Sequence, residues 1–260
     1  MPNIFAGIPI YFLSAIIFVL ILLFNWLGFK FKKWQLKKFP DRVSGSLGSV
    51  EGSMLGAMAL LLGFTFSIAI SKFETRKDVI VEEANDIGTA ILRCDMYPDS
   101  VRNPLRADFK EYIETRIAYY TVGSDEEKIK LELEKAGEIS NRIWKRVALQ
   151  AQNRDNIAVT AQMIPAVNAM IDIVTTRDAS RISKVPRLVL WVLLALVLIS
   201  SFVLGSDYNG KKRNKILIFS YAVAMTITLC LIIELDRPRQ GLINLDAIEQ
   251  KIIDLRELVK

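Results

Sequence analysis

Hydrophobic residues are concentrated in four long stretches of the chain, each almost free of charged side chains. They cover residues 10–29, 52–71, 188–206 and 216–235. Each stretch is close to the roughly 20 residues with which an α-helix crosses a hydrocarbon core of about 30 Å. The pattern therefore predicts an all-α membrane protein with four transmembrane helices.

The longest polar segment, residues 72–187, has apolar residues that recur every three or four positions, as on one face of a helix. The first series is Ile80, Ala84, Ile87, Ile91 and Cys94. Pro98 and Gly123 interrupt the periodicity. Ser124 and Glu127 then have the pattern of a capping box at the start of a further helix. Four helices joined by short turns predict an extramembranous antiparallel four-helix bundle between the second and third spans.

A final amphipathic helix is indicated after the fourth span, where it is expected to pack on the bundle or on a neighbouring subunit. Its apolar residues are Leu245, Ile248, Ile252, Leu255 and Val259. The chain is thus predicted to have four parts. These are a first transmembrane pair with its basic loop in residues 1–71, the helical bundle in 72–187, a second transmembrane pair in 188–235 and the C-terminal helix in 236–260.

The net charge of +6 is concentrated in two short loops. Residues 30–42 carry +5 and residues 207–215 carry +3, whereas residues 72–187 are neutral overall. Short loops rich in Lys and Arg stay on the cytoplasmic side of a membrane. We therefore predict a multi-pass protein of the cell inner membrane, with the helical bundle and both termini extracytoplasmic. A basic charge confined to such loops indicates topology and does not predict nucleic-acid binding.

Catalytic and metal-binding patterns are missing from the sequence. Histidine is absent, and Cys94 and Cys230 do not have the spacing of a metal site. We therefore predict no enzyme activity, no cofactor and no metal. Glu234 is the one ionisable residue in the apolar stretches, and it lies at the end of the fourth. Coupled transporters usually carry charged groups at membrane depth, so passive conduction, sensing or scaffolding is favoured.

The second apolar stretch is marked by a series of small residues, which are Gly48, Gly52, Gly56, Ala59, Gly63 and Ser67. At about 100° per residue, all six lie on one third of the helix circumference. Small residues at this spacing typically let another helix approach closely within a membrane. That helix belongs either to the same chain or to another subunit, in which case this face forms a subunit contact or lines a pore.

Leu60, Phe64 and Ser71 adjoin this series, and apolar side chains repeated around an oligomer narrow a pore. The candidate pore-lining residues are Gly56, Leu60, Phe64, Ser67 and Ser71. The candidate helix-packing residues are Gly48, Gly52, Gly56, Ala59 and Gly63.

Two charged clusters are predicted at the outer membrane boundary. Their residues are Glu82, Glu83, Asn85, Asp236, Arg237 and Arg239. Three interpretations are open. The arginines cap the fourth span and bind lipid headgroups, or they form salt bridges with Glu82 or Glu83, or they form an anion site at the entrance of a conduction path.

Five motifs resemble those of the bacterial bestrophin-like family of membrane proteins. In order along the chain they are LGF (62–64), KFETR (72–76), VEEANDIGTA (81–90), PAVNAMID (165–172) and DRPRQG (236–241). The name of this family reflects a distant similarity to bestrophins, which are pentameric anion channels.

The resemblance implies an oligomeric passive ion channel that prefers anions and is lined by the second transmembrane helix. Carried over residue by residue, the apolar neck of the pore falls at Gly56, Leu60 and Phe64, where Gly56 departs from the bulky residue of bestrophins. The acidic calcium-binding cluster of bestrophins is not matched, so calcium activation is not implied. Bestrophins also keep their large helical segment in the cytoplasm, whereas the basic loops here predict the opposite side.

The alternative function is a membrane-anchored sensor or interaction module, whose helical bundle binds a ligand or a partner. The expected partners are therefore the lipid bilayer, further copies of the chain in a homo-oligomer and inorganic ions.

Overall fold

The computed structural model describes residues 9–39, 48–207, 214–237, 239 and 241–260, and for residues 48–51 it describes the helix alone. These segments contain eight α-helices and no strand. The helices are α1 (Ile10–Lys38), α2 (Gly48–Cys94), α3 (Asp99–Thr121), α4 (Glu126–Gln150), α5 (Ile157–Ile182), α6 (Arg187–Ser206), α7 (Lys215–Leu235) and α8 (Asp246–Asp254). Two short 3-10 helices cover Arg154–Asn156 and Leu255–Val259. The predicted all-α class is confirmed.

Within the described residues, four helical segments are long and apolar enough to cross a membrane. They are α1, α7, the segment Gly52–Cys94 of α2, and Arg154–Ser206, in which α6 is the apolar part. The four predicted spans are therefore confirmed. Residues 40–42 of the first predicted basic loop and residues 208–213 of the second lie outside the described part of the chain, whereas residues 30–38 of the first loop continue helix α1.

The chain divides into two compact units. The membrane unit consists of Met1–Ser71 and Lys184–Arg237, and the helical unit consists of Lys72–Ser183 and Pro238–Lys260. Helix α2 contributes to both units because it continues without a break from Gly48 to Cys94.

Helices α1 and α6 of the membrane unit approach each other at two glycines. A Cβ atom added to Gly28 would overlap the backbone carbonyl oxygen of Phe202, and one added to Gly205 would overlap that of Asn25. Only glycine leaves room for this separation, as is common where helices pack in membranes. The glycine pattern of the sequence predicted a close helix contact on the second span and did not indicate this one.

Two hydrogen bonds between buried groups accompany this close approach. Asn25 donates from its side-chain amide to the carbonyl oxygen of Ser201 at 3.1 Å. The Ser201 hydroxyl donates to the carbonyl oxygen of Ile21 at 2.7 Å. Hydrogen bonds between transmembrane helices contribute about 0.6–2 kcal/mol each, so the pair fixes the register of α1 against α6.

The core of the helical unit is formed by the predicted apolar faces of its helices. Ile87 and Ile91 of α2, Phe109 of α3, Ile143 of α4 and Met170 of α5 are almost completely buried. Side chains of this size contribute about 1.5–3 kcal/mol each when fully buried, and together they account for the cohesion of this unit.

The C-terminal helix α8 packs on α3 of the same chain, and its residue Ile252 is fully buried. Arg256, in the short helix that follows, donates two hydrogen bonds to the carboxylate of Glu114 at 2.6 and 2.7 Å. The sequence left open whether this helix packs on the bundle of its own chain or on a neighbouring subunit. The structure shows that it packs on its own chain.

The start of α4 differs from the sequence prediction by one residue. Asp125, and not Ser124, is the N-cap, and its carboxylate accepts a hydrogen bond from the Lys128 amide at 3.2 Å. A carboxylate at this position also interacts favourably with the helix dipole, which a serine hydroxyl does only weakly.

Candidate functional site

The face of α2 that carries the small residues is exposed in the single chain. Gly52, Gly56, Ala59, Gly63 and Ser67 are all exposed. A Cβ atom added to Gly52, Gly56 or Gly63 would meet no heavy atom within 4 Å among the described residues. The surroundings of Gly48 lie outside the described part of the structure. Packing against the described residues of the same chain therefore does not account for these three glycines.

The larger side chains beside these glycines are exposed as well. Leu60 is 61% exposed and Phe64 is 60% exposed, and Ser71 is also at the surface. The opposite face of the same helix is the packed one, with Met58, Leu62, Thr65 and Ala69 buried. Helix α2 thus has one buried face and one free face in the membrane unit.

The part of α2 that belongs to the helical unit carries exposed acidic residues. Glu74, Asp78 and Glu82 are exposed and follow one another at intervals of four residues. One carboxylate, that of Glu74, forms an exposed ion pair with Lys77 at 2.9 Å.

A second constellation is buried in the helical unit, where charged residues of four helices meet. Glu83 of α2 accepts hydrogen bonds from Arg116 of α3 and Arg177 of α5. Arg177 also pairs with Glu249 of α8. All four side chains are at least 95% buried. Breaking one partner of a buried ion pair is costly, so these residues hold four helices in a fixed arrangement.

Tyr119 lies beside this network and is surrounded by guanidinium groups. The Cζ atoms of Arg116 and Arg239 are each 4.5 Å from the centre of its ring, and that of Arg177 is 5.1 Å away. Arg239 additionally donates a hydrogen bond to the carbonyl oxygen of Gly123 at 3.0 Å. Cation–π contacts of this kind are strongest when they are shielded from water, as they are here.

The two carboxylates of the network differ in their titration. Burial by itself raises the pKa of Glu83, but the charges and hydrogen bonds of Arg116 and Arg177 outweigh it and hold the pKa below the ordinary value. For Glu249, burial outweighs the attraction of Arg177 and raises the pKa. Glu83 is therefore more readily ionised than Glu249 and is the main counter-charge of the buried arginines.

The residues of the predicted charge cluster are not equivalent in the structure. Glu82 and Asn85 are exposed, whereas Glu83 is fully buried. In the membrane unit, Asp236 and Arg237 are buried, and the Asp236 carboxylate accepts a hydrogen bond from the amide of Val185 at 2.9 Å. The cluster thus mixes surface groups with buried structural ones.

The predicted partners of Glu83 require correction. One interpretation paired this residue with Arg237 or Arg239, whereas its direct partners are Arg116 and Arg177. Arg239 approaches the same network through the ring of Tyr119. The signal that could have identified Arg116 is its position in an apolar stripe of α3, where an arginine must be paired to be buried. Among the described residues, no group of three His, Cys, Asp or Glu side chains is placed to hold a metal ion.

The four apolar spans and the helical unit between them define a multi-pass helical membrane protein. A family model for the Bestrophin-like domain matches residues 15–247, and the chain belongs to the Bestrophin-like family. The predicted family is therefore confirmed. Membership supports an oligomeric ion channel in general. Among curated proteins, no significant relative of the chain was found.

Solved structures of a bacterial bestrophin homologue from Klebsiella pneumoniae share the fold. One has a TM-score of 0.71 at 11% sequence identity, and the match covers 94% of this chain and 98% of that chain. A point mutant of the same homologue also has a TM-score of 0.71 at 11% identity, with 93% and 98% covered. At this identity the similarity shows the fold alone.

Proposed function

We propose that the protein is a passive ion channel of the cell inner membrane, assembled from several copies of the chain whose α2 helices line the pore. The observation that carries the proposal is the free face of α2. Its small residues leave open space among the described residues of the single chain, and a second copy of the helix would fill that space.

The chemistry of this face also fits a pore better than it fits lipid. The exposed side of α1 has bulky apolar side chains such as Phe12, Val19 and Leu23, as expected for contact with acyl chains. The free face of α2 instead combines glycines with the hydroxyl groups of Ser67 and Ser71. Hydroxyls and exposed helix backbone suit a water-filled path that Leu60 and Phe64 constrict.

The charge of the conducted ion has two candidates. An anion preference is implied by the family resemblance and by Arg237 and Arg239 at the predicted mouth of the pore. A cation preference is favoured by the exposed carboxylates of Glu74, Asp78 and Glu82, which follow the second span along the sequence. Arg237 is only 9% exposed, whereas these three carboxylates are at the surface, where those of Asp78 and Glu82 can attract cations.

Ion flux through liposomes that contain the purified protein tests the function. Replacing Phe64 by alanine is expected to increase the flux severalfold, because a narrower apolar ring is harder to wet, and Phe64→Trp is expected to reduce it. Phe12→Ala, which removes an exposed ring from α1, is the control and should leave the flux unchanged. The reversal potential in a KCl gradient then assigns the charge of the ion.

The channel proposal would be overturned by wild-type liposomes that pass neither chloride nor potassium, together with a silent Phe64→Ala variant. That result would favour a sensor or interaction module.

We also propose that the helices of the helical unit are antiparallel. We further propose that this unit is extracytoplasmic, as the two basic loops predict.

Thiol labelling of intact cells tests this orientation, but native Cys94 is unsuitable for it. Its side chain is completely buried, and burial raises the pKa of the thiol to about 12. With both native cysteines replaced by serine, Ser124→Cys at an exposed turn should react with a membrane-impermeant reagent, and Lys37→Cys should react only after lysis. The reverse labelling pattern would place the helical unit in the cytoplasm.

A further inference from the structure

Helix α1 is longer than a membrane crossing requires. Its 29 residues correspond to a length of about 43 Å at 1.5 Å per residue, whereas the hydrocarbon core measures about 30 Å. The apolar residues 10–29 are sufficient to fill the core. Residues 30–38 therefore extend the same helix through the layer of lipid headgroups.

This extension is strongly and uniformly basic. Residues 30–38 contain five lysines and no acidic residue. The lysines are Lys30, Lys32, Lys33, Lys37 and Lys38. Four of them, Lys30, Lys33, Lys37 and Lys38, are exposed, and among the described residues no carboxylate forms an ion pair with any of the five.

Two of these lysines lie over exposed tryptophan rings. The Nζ atom of Lys30 is 4.7 Å from the ring centre of Trp26, and that of Lys38 is 5.1 Å from the ring centre of Trp34. Both indole rings are exposed, at 44% and 54%. Tryptophan is enriched where acyl chains meet headgroups, because its ring is apolar and its N–H can donate a hydrogen bond.

Both tryptophans and four of the five lysines lie on one side of the helix, and Lys32 does not. At about 100° per residue, Trp26, Lys30, Lys33 and Lys37 fall within about 60° of one another. The buried residues of α1, such as Ile17 and Ile21, lie on the opposite side, where the helix packs against α6 and α7. The basic side is thus directed away from the rest of the membrane unit.

We propose that this lysine–tryptophan surface, formed by Trp26, Lys30, Lys33, Trp34, Lys37 and Lys38, binds anionic phospholipids of the surrounding bilayer. The ammonium groups contact the phosphate-bearing headgroups, and the indole rings cover the upper part of the acyl chains. Clusters of four to eight basic residues at the end of a transmembrane helix attract anionic lipid in this way. The proposal requires only that α1 crosses a membrane and is independent of ion conduction.

Quenching of tryptophan fluorescence by brominated lipids measures this binding. In a Trp144→Phe, Trp191→Phe background, the two remaining tryptophans are those of the proposed surface. The full chain is reconstituted in bilayers that contain brominated phosphatidylglycerol or brominated phosphatidylcholine. We expect several-fold preferential quenching by phosphatidylglycerol at low salt, and a smaller preference as salt screens the charges.

Matched triple variants distinguish lipid binding at this surface from a general effect of the net charge of the protein. Replacing Lys30, Lys33 and Lys37 by glutamine should remove most of the preference for phosphatidylglycerol, since each lysine contributes roughly fivefold and only Lys32 and Lys38 remain. Replacing Lys110, Lys130 and Lys145, three exposed lysines of the helical unit, removes the same charge and should preserve it. Circular dichroism and elution volume confirm that both variants are folded. Equal quenching by the two lipids in the parent protein, or an equal loss in both triple variants, would overturn the proposal.

Discussion

Replacing Glu83 by glutamine is expected to lower the free energy of unfolding of the helical unit by about 3–5 kcal/mol. The substitution removes the carboxylate that pairs with the buried Arg116 and leaves the buried Arg177 with Glu249 alone. For a protein of this size, the loss corresponds to a melting temperature lowered on the order of 10 °C. Thermal unfolding of the detergent-solubilised protein measures the effect.

The neighbouring residue provides the control for this prediction. Glu82 is exposed, so Glu82→Gln should change the free energy of unfolding by no more than about 0.5 kcal/mol. Similar melting temperatures for the two variants would show that the buried network does not stabilise the helical unit.

Because of the same network, part of the free energy of unfolding of the helical unit depends on pH in the acid range. The pKa of Glu83 is lowered in the folded protein from its ordinary value of 4.5. A carboxyl of this kind contributes stability that is complete above its unfolded-state pKa and is lost as the pH falls through its folded-state pKa. The difference in melting temperature between the wild type and Glu83→Gln should therefore shrink as the pH is lowered below about 4.5.

Replacing Gly205 by alanine is expected to destabilise the membrane unit by about 1–3 kcal/mol, and replacing it by leucine should do so more strongly. Even one added carbon atom overlaps the backbone of Asn25, so α1 and α6 must separate. Their separation also weakens the hydrogen bonds of Asn25 and Ser201. The purified protein is heated to a series of temperatures and then passed over a gel-filtration column. The height of the remaining protein peak at each temperature reports the change in stability.

Gly52→Leu is the matched comparison, because it adds the same side chain where the single chain has open space. It should leave the thermal stability of the isolated subunit intact and reduce the size of the oligomer, as measured by light scattering in detergent. If Gly52→Leu and Gly56→Leu both left the oligomer unchanged, the free face of α2 would not be a subunit contact. A stable Gly205→Leu protein would contradict the close packing of α1 on α6.

The sequence predicted those features of the fold that depend on local periodicity or on the bilayer. The four spans follow from apolar length alone, because every backbone polar group in a bilayer core must be satisfied within a helix. The small-residue face of α2 was also predicted, since its glycines repeat at helical spacing. The exposure of this face in the single chain was not predicted, because the same pattern suits packing within a chain or between chains.

The buried network was beyond prediction because its members are far apart in the sequence. Glu83 is separated from Arg116 by 33 residues and from Arg177 by 94. Charged residues are abundant in this segment, so nothing local indicates which of them pair. The close approach of α1 and α6 at Gly28 and Gly205 was missed for a related reason, since each glycine is isolated in the sequence and only the folded chain brings the two helices together.

Both cysteines of the chain are free and buried. Burial raises the pKa of the Cys94 thiol to about 12, so the reactive thiolate is nearly absent at neutral pH. The fold therefore needs no disulfide and exposes no thiol that would form one. A helical unit built in this way is indifferent to the redox state of its surroundings, and it would fold equally well in the reducing cytoplasm and in an oxidising compartment across the membrane.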